Sequence, residues 1–203
     1  MVGAISVDRL SDVQELRPGL WTWTAPHPEW SERDAGPDGW GPEVRSYAYD
    51  LGDCLLFFDP IAPPTLVEGL IEAQEIAVLL TCKWHRRSTD ECVERFGAHV
   101  YLGPESESSE LPGGVETRPG GYPDEVIFWI PSRNALVVGD VILGSDHGIR
   151  VQPDAWLFEG QTREALRDSL RPLLDLPVEA VLPTHGNPVV EGGRNALAGA
   201  LES

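Results

Sequence analysis

Three apolar runs in this chain end in the same way: the hydrophobic residues stop and ionisable or polar ones follow at once. They are Leu79-Leu80-Thr81-Cys82-Lys83-Trp84-His85-Arg86-Arg87, Val137-Val138-Gly139-Asp140 and Val181-Leu182-Pro183-Thr184-His185-Gly186. The first belongs to Ile76–Thr81, which is apolar without a break, the pattern of a strand buried on both faces. Strand ends at one edge of a sheet are rigid and converge, and α/β folds assemble their sites there. Such a chain is constrained to layered sheets with its chemistry at one rim.

The remaining pattern agrees. Leu20 to Thr24 alternates like a strand, and Val44–Tyr49 and Cys54–Asp59 read as a hairpin turning at Asp50-Leu51-Gly52-Asp53. Pro63 to Glu75 has amphipathic helical spacing with proline near its start. Ser88-Thr89-Asp90-Glu91 reads as a capping box opening a helix that stops at Gly97. His99 to Leu102 is a short strand and His99 a structural residue, followed by a polar loop from Glu105 to Glu110. Val126–Ile130 and Ala135–Val138 pair across Pro131-Ser132-Arg133-Asn134. Thr162 to Leu176 predicts a helix, Val178 to Leu182 a last buried strand, and Gly193 to Leu201 a closing helix. The alternation of strands and helices implies an α/β protein in one domain, 1–203. Ala25 to Pro42, with Trp30 and Trp40 among prolines and glycines, predicts a long structured loop: a binding loop or a rigid cover.

Charge narrows the partners. Fifteen basic against thirty-three acidic residues leave a net charge of −18 over 203 residues, which disfavours nucleic acid and anionic membrane surfaces. The only lysine, Lys83, sits beside Arg86 and Arg87, a cationic island in an acidic chain. Three cysteines without a Cys-x-x-Cys pair argue against a disulfide scaffold or a zinc ribbon. With no leader pattern at the start and no apolar run of membrane-spanning length, the expectation is a soluble cytoplasmic protein acting on a small molecule or anion. Its oligomeric state is not encoded in any pattern of the chain. No Gly-x-Gly-x-x-Gly or Walker loop follows any strand, so nucleotide folds are not supported.

In their order, these motifs resemble the metallo-β-lactamase-fold hydrolases from about Gly19 to Ala200. That family shows an early strand ending in Asp, then Thr-His-x-His-x-Asp-His, Pro-Gly-His, Gly-Asp after a strand, and a final strand ending in His-Gly. Phe57-Phe58-Asp59-Pro60, Val138-Gly139-Asp140 and Pro183-Thr184-His185-Gly186 match the early, bridging and final segments. The resemblance implies an αββα sandwich and a hydrolase of a small ester, thioester, lactone or amide. Cys82, Trp84, Arg86 and Arg87 stand where the family has His, His, Asp and His, and Pro119-Gly120-Gly121 lacks the histidine. Only Asp140 and His185 remain of the family's ligands, so its two-metal centre cannot be built.

Three readings stand open. In the first, His85, shifted by one position, joins Asp140 and His185 as metal ligands and catalytic residues around at most one zinc, with Cys82 as a soft extra ligand. In the second, Lys83, Arg86 and Arg87 replace the metal and bind a small anion, with Trp84 as a stacking face and His85 or His185 as base. In the third, the site is lost and the protein binds a partner or is vestigial; Arg86 and Arg87 are then two solvated arginines before a helix. His27, in the loop that overlies the site in this fold, and His147, soon after Asp140, join Lys83, Trp84 and Arg87 as substrate contacts. Asp124-Glu125 offers a substitute carboxylate for the missing histidine. Lys83, Arg86 and Arg87 separate the first two readings: pointing inward they oppose a cation, pointing outward they permit it.

Overall fold

Strands made of uninterrupted apolar residues must be covered on both faces, and four layers accomplish that here. A computed structural model describes residues 13–36, 38–64, 75–103 and 110–203. Twelve strands are described: β1 (Gln14–Arg17), β2 (Leu20–Pro26), β3 (Glu43–Asp50), β4 (Cys54–Phe58), β5 (Glu75–Leu80), β6 (His99–Leu102), β7 (Glu116–Pro119), β8 (Val126–Ile130), β9 (Ala135–Val138), β10 (Ile142–Ser145), β11 (Gly148–Val151) and β12 (Ala180–Pro183). The described helices are α1 (Thr89–Phe96), α2 (Arg163–Leu170) and α3 (Gly193–Glu202).

One sheet runs β1-β2-β3-β4-β5-β6 and a second runs β12-β9-β8-β7, with β10-β11 a separate ribbon. Between the sheets lies a core that includes Leu20, Tyr47, Phe58, Leu79, Phe128, Val137 and Leu182. The outer face of the first sheet buries Phe57, Val78 and Leu80 against Cys92 of α1. The outer face of the second buries Ile127, Leu136 and Val181 with Leu166 and Leu170 of α2 and Leu197 and Leu201 of α3. The order helix, sheet, sheet, helix is the αββα sandwich.

Strand direction gathers the site. β4 and β5 pair in parallel, as do β12 and β9, so each pair ends at one rim. The two sheets are stitched there by backbone: Val126 N–H donates to Thr81 O at 2.8 Å, and Arg45 N–H to Thr184 O at 2.8 Å. Asp59, Thr81, Asp140 and His185 therefore leave their strands at a common edge.

Several expectations are corrected. The run from Thr162 is helical only to Leu170 and continues as a 3₁₀ turn over Arg171–Asp175, because Pro172 cannot donate into an α-helical ladder. Thr162 caps α2, its hydroxyl accepting from Ala165 N at 3.1 Å. α1 begins and ends as expected, with Gly97 left-handed, but Ser88 makes no capping bond; its hydroxyl accepts from Ala62 N instead. The last strand starts at Ala180 rather than Val178. Residues Ala25 and Pro26 belong to β2, so the Trp-rich loop begins at His27. The expected leader-free start, most of the helix from Pro63, and most of the Glu105–Glu110 loop lie outside the described residues. Among the described residues, no helix is long and apolar enough to cross a membrane.

Candidate active site

Beyond β5 the chain turns into a 3₁₀ segment, Lys83–Arg86. Residues three apart in such a turn eclipse one another, which sorts the motif into faces. Lys83 and Arg86 face solvent, their side chains 61% and 56% exposed, where Asp124 and Asp90 take up their charge. Cys82 and His85 face inward and are buried. Trp84 and Arg87 line the cavity.

Asp59 organises this floor from below. It is fully buried; its Oδ1 accepts from Thr81 N at 2.9 Å and its Oδ2 from the Thr81 hydroxyl at 2.6 Å. His85 Nδ1 lies 3.1 Å from the same Oδ2 and 3.0 Å from Thr81 Oγ1. A proton on Nδ1 satisfies Asp59 and leaves Nε2 directed at the cavity, the orientation that a carboxylate partner imposes on a metal-ligating histidine. Asp59 holds this place at φ +44°, a strained backbone for a residue other than glycine.

Asp140 completes the centre. Its Oδ1 sits 3.2 Å from His85 Nε2 and 3.3 Å from His185 Nε2, and Trp84 Nε1 donates to its Oδ2 at 2.8 Å. Yet Oδ1 is buried without a well-directed hydrogen bond: the histidine nitrogens are close but not aimed at it. Gly139 before it is required by space, since a Cβ there would lie 2.6 Å from Glu125 Oε1 and 2.8 Å from Thr81 Oγ1.

Charge follows this geometry. Burial and Arg87 push the His85 pKa down, but Asp140 and Asp59 outweigh them and hold it well above the ordinary value. Burial alone would raise Asp140; the His85 charge and the His185 contact hold it well below the carboxylate range. Burial lowers His185, with Asp140 opposing, so it is neutral at pH 7. Burial pushes the Cys82 thiol up to about 12.

The cavity holds about 390 Å³ and is lined by His27, Glu29, Trp40, Trp84, His85, Arg87, Tyr122, Asp140, Trp156 and His185. Trp40 of the long loop stands edge-on to His185 with ring centroids 4.9 Å apart, and His27 packs edge-on to Trp40 at 5.0 Å. The loop is tied down: His27 N donates to Pro42 O and Trp30 Nε1 to Trp40 O. It therefore roofs the pocket, as expected of a loop over the site.

Of the sequence-predicted residues, His85, Asp140, His185, Trp84, Arg87 and His27 meet in this cavity. Lys83 and Arg86 do not, and neither does His147, which is exposed on the β10-β11 turn. Glu125 supplies no ligand. It is buried, its Oε1 and Oε2 accepting from Val141 N and Gly121 N, so it is a brace beneath the Asp140 loop. Tyr122 and Trp156 are lining residues that sequence reasoning missed. They come from the loops after β7 and β11, and Tyr122 OH donates to Trp156 O.

Does the donor set fit a metal? Two ions do not fit: an indole N–H and a guanidinium, at Trp84 and Arg87, have no lone pair to offer. One ion does. Cys82 Sγ, a His85 nitrogen and an Asp140 oxygen all lie within 4.8 Å of one another, the sole such group among the described residues. The unsatisfied Asp140 Oδ1, with nitrogens near it but misdirected, is what ligands aimed at a common point present. His185 joins this group only through Asp140.

A model of the metallo-beta-lactamase superfamily matches residues 101–185, the part that carries Asp140 and His185. No curated protein matches the chain. Solved structures do. A metallo-β-lactamase from Erythrobacter litoralis, with β-mercaptoethanol in its active site, is 15% identical, with 94% of each chain covered and a TM-score of 0.63. The DIM-1 metallo-β-lactamase exposed to ceftazidime is 13% identical over 96% of this chain and 99% of its own, with a TM-score of 0.61. A metallo-β-lactamase family protein from Thermus thermophilus is 16% identical over 93% of this chain and 80% of its own, with a TM-score of 0.58. At these identities the likeness is one of fold.

Proposed function

We propose, for a chain that has the metallo-β-lactamase fold, hydrolysis of a small ester, thioester, lactone or amide at a one-metal centre. The observation that carries this reading is the compact Cys82, His85, Asp140 group, of which His85 and Asp140 line a roofed pocket while Cys82 is fully buried beside them. Three protein ligands with a position left open is the arrangement of catalytic rather than structural zinc. A divalent ion held there supplies Lewis acidity, polarising a carbonyl and acidifying water. The outward turn of Lys83 and Arg86 favours this reading, because two of the three charges that would repel a cation are spent in solvent.

The chain's own residues have separable roles. Asp59 fixes the His85 ring through Nδ1, so that Nε2 serves as donor. His185, neutral at pH 7 and 3.3 Å from Asp140, accepts the proton of the attacking water and returns it to the leaving group. Asp140, 3.3 Å from that imidazole, steadies the charge it gains. Trp40, packed on His185, limits the ring's freedom and keeps bulk water from the face it covers.

Elemental analysis of protein purified without an affinity metal, repeated after zinc addition and dialysis, tests this. About one equivalent of zinc is expected, lost in His85→Ala and Cys82→Ala and accompanied by turnover of small esters or lactones. No retained zinc at micromolar concentration refutes the one-metal reading.

A further inference from the structure

Glu125 is the joint between two loops that carry different parts of the pocket. Its side chain is buried between them. Oε1 accepts from Val141 N at 3.0 Å, beside Asp140, and Oε2 accepts from Gly121 N at 3.2 Å, beside Tyr122. Two glycines make room for it: a Cβ on Gly120 would lie 2.6 Å from Glu125 Cγ, and one on Gly139 would lie 2.6 Å from Oε1. Neither has a positive φ, so what these glycines provide is space around one side chain. The backbone of Glu125 closes the first loop as well, its N–H donating to Tyr122 O and its carbonyl accepting from Gly120 N, each at 3.0 Å.

The bonds continue past Glu125. Val141 O accepts from Gln152 N at 3.0 Å, Gln152 Nε2 donates to Trp156 O at 3.2 Å, and Tyr122 OH donates to that same carbonyl. Tyr122 follows Gly121, so the path returns to Glu125. The result is a closed circuit through the Asp140 loop, the end of β11, the Trp156 turn and the Tyr122 loop. Gln161 Nε2 anchors it from ahead of α2, donating to Gly121 O at 2.7 Å. Glu125 and Gln152 are 2% and 0% exposed, so these bonds cannot be traded for bonds to water. Breaking one leaves a buried group unmatched, and buried polar networks of this kind act as units. Three members of the circuit line the cavity: Asp140 at its reactive end, Tyr122 and Trp156 on its wall.

We infer that Glu125 is a positioning residue that locks the Asp140 loop to the Tyr122 and Trp156 wall, so that a molecule pressing on the wall shifts the carboxylate and a ligand on the carboxylate shifts the wall. The inference rests on the one-metal reading for what Asp140 holds, but not for the coupling itself. A residue that only filled space beneath the loops would transmit nothing between them.

Amide hydrogen exchange, followed residue by residue by NMR in full-length protein stripped of metal, tests it. Tyr122→Phe keeps the ring, including its edge contact with Trp84, and removes only the bond to Trp156 O. It is expected to speed exchange at Val141 N about three- to tenfold, the usual worth of one hydrogen bond. Glu125→Gln has an amide nitrogen that cannot accept, so it releases one of the two loops. In that background the effect of Tyr122→Phe at Val141 should shrink to less than about twofold, as coupled sites require. Val181 N, bonded to Val189 O outside the circuit, is the control. Unchanged exchange at Val141 in Tyr122→Phe, equal acceleration at Val181, or the same Tyr122→Phe effect with and without Glu125 overturns the inference. If Glu125→Gln fails to fold, Tyr122→Phe alone decides between coupling and its absence. Because exchange is read without metal, a protein that takes up no zinc would sink the one-metal reading and leave this result standing.

Discussion

Replacing Gly186 by alanine tests how His185 is held. Gly186 has φ +82°, and a Cβ there would lie 2.2 Å from Gly144 O and 2.6 Å from Gly144 C, backbone atoms of β10 that cannot swing aside. The two backbones are bonded as well as touching, since Gly144 N donates to His185 O at 2.8 Å. A left-handed backbone costs a side-chain-bearing residue about 1–2 kcal/mol. Overpacking adds roughly 1–3 kcal/mol, and the broken hydrogen bond about 1 kcal/mol. The sum is roughly 3–6 kcal/mol, or about 6–24 °C in Tm at the 2–4 °C per kcal/mol usual for this chain length. Gly160 is the control: its φ is +85° but nothing lies within 4 Å of its Cβ position, so Gly160→Ala carries the backbone term alone. Urea unfolding followed by tryptophan fluorescence gives both values. If the two variants lose the same stability, the β10 contact is not what positions His185. Turnover should fall more than tenfold in Gly186→Ala and stay near wild type in Gly160→Ala.

Other predictions are sharper on chemistry. His185→Ala should retain its zinc while losing about 10²–10⁴-fold in kcat, the usual worth of a positioned base; loss of the metal in this variant would make His185 a ligand instead. Asp59→Asn keeps a side chain that tolerates φ +44° but loses the charge facing His85 Nδ1, and should cost about 2–3 kcal/mol by urea unfolding. Burial and the nearby Asp140 charge push Glu125 up to about 8. In metal-free protein the folded state therefore keeps a proton that the unfolded state releases above its ordinary carboxylate pKa. The stability due to Glu125 is complete below that pKa and declines by roughly 1.4 kcal/mol per pH unit as pH rises toward 8. The difference in stability between wild type and Glu125→Gln should shift steadily in favour of the variant from pH 5 to pH 8; a constant difference would show that Glu125 does not titrate there.

The fold was legible because burial on both faces leaves an unmistakable trace: Ile76–Leu80 and Ala135–Val138 admit no polar residue. The ends of Ala135–Val138 and of the last strand marked Asp140 and His185 for the same reason. What misled was local pattern overruled by tertiary contact. Ser88 has the sequence of a cap, yet its hydroxyl is claimed by Ala62 N across the fold. The cationic island looked like one patch until the 3₁₀ turn, with three residues per revolution, sent Lys83 and Arg86 out and Cys82 and His85 in. Pro172 was visible as a helix breaker in a run whose leucine spacing outweighed it. Tyr122 and Trp156 carry no signal of their own, since only the meeting of two loops makes them neighbours.

The core between the sheets contains none of the pocket's reactive side chains. Scaffold and chemistry are thus separable inheritances. A lineage with this architecture can exchange one rim residue for another, cysteine for histidine or arginine for histidine, without eroding the sandwich that carries it. The exceptions are Asp59 and Thr81, fully buried and bonded to each other, which belong to both. Such a fold is free to wander among reactions while those two residues stay fixed, so drift in its sequence should be fastest where its catalysis is most specialised.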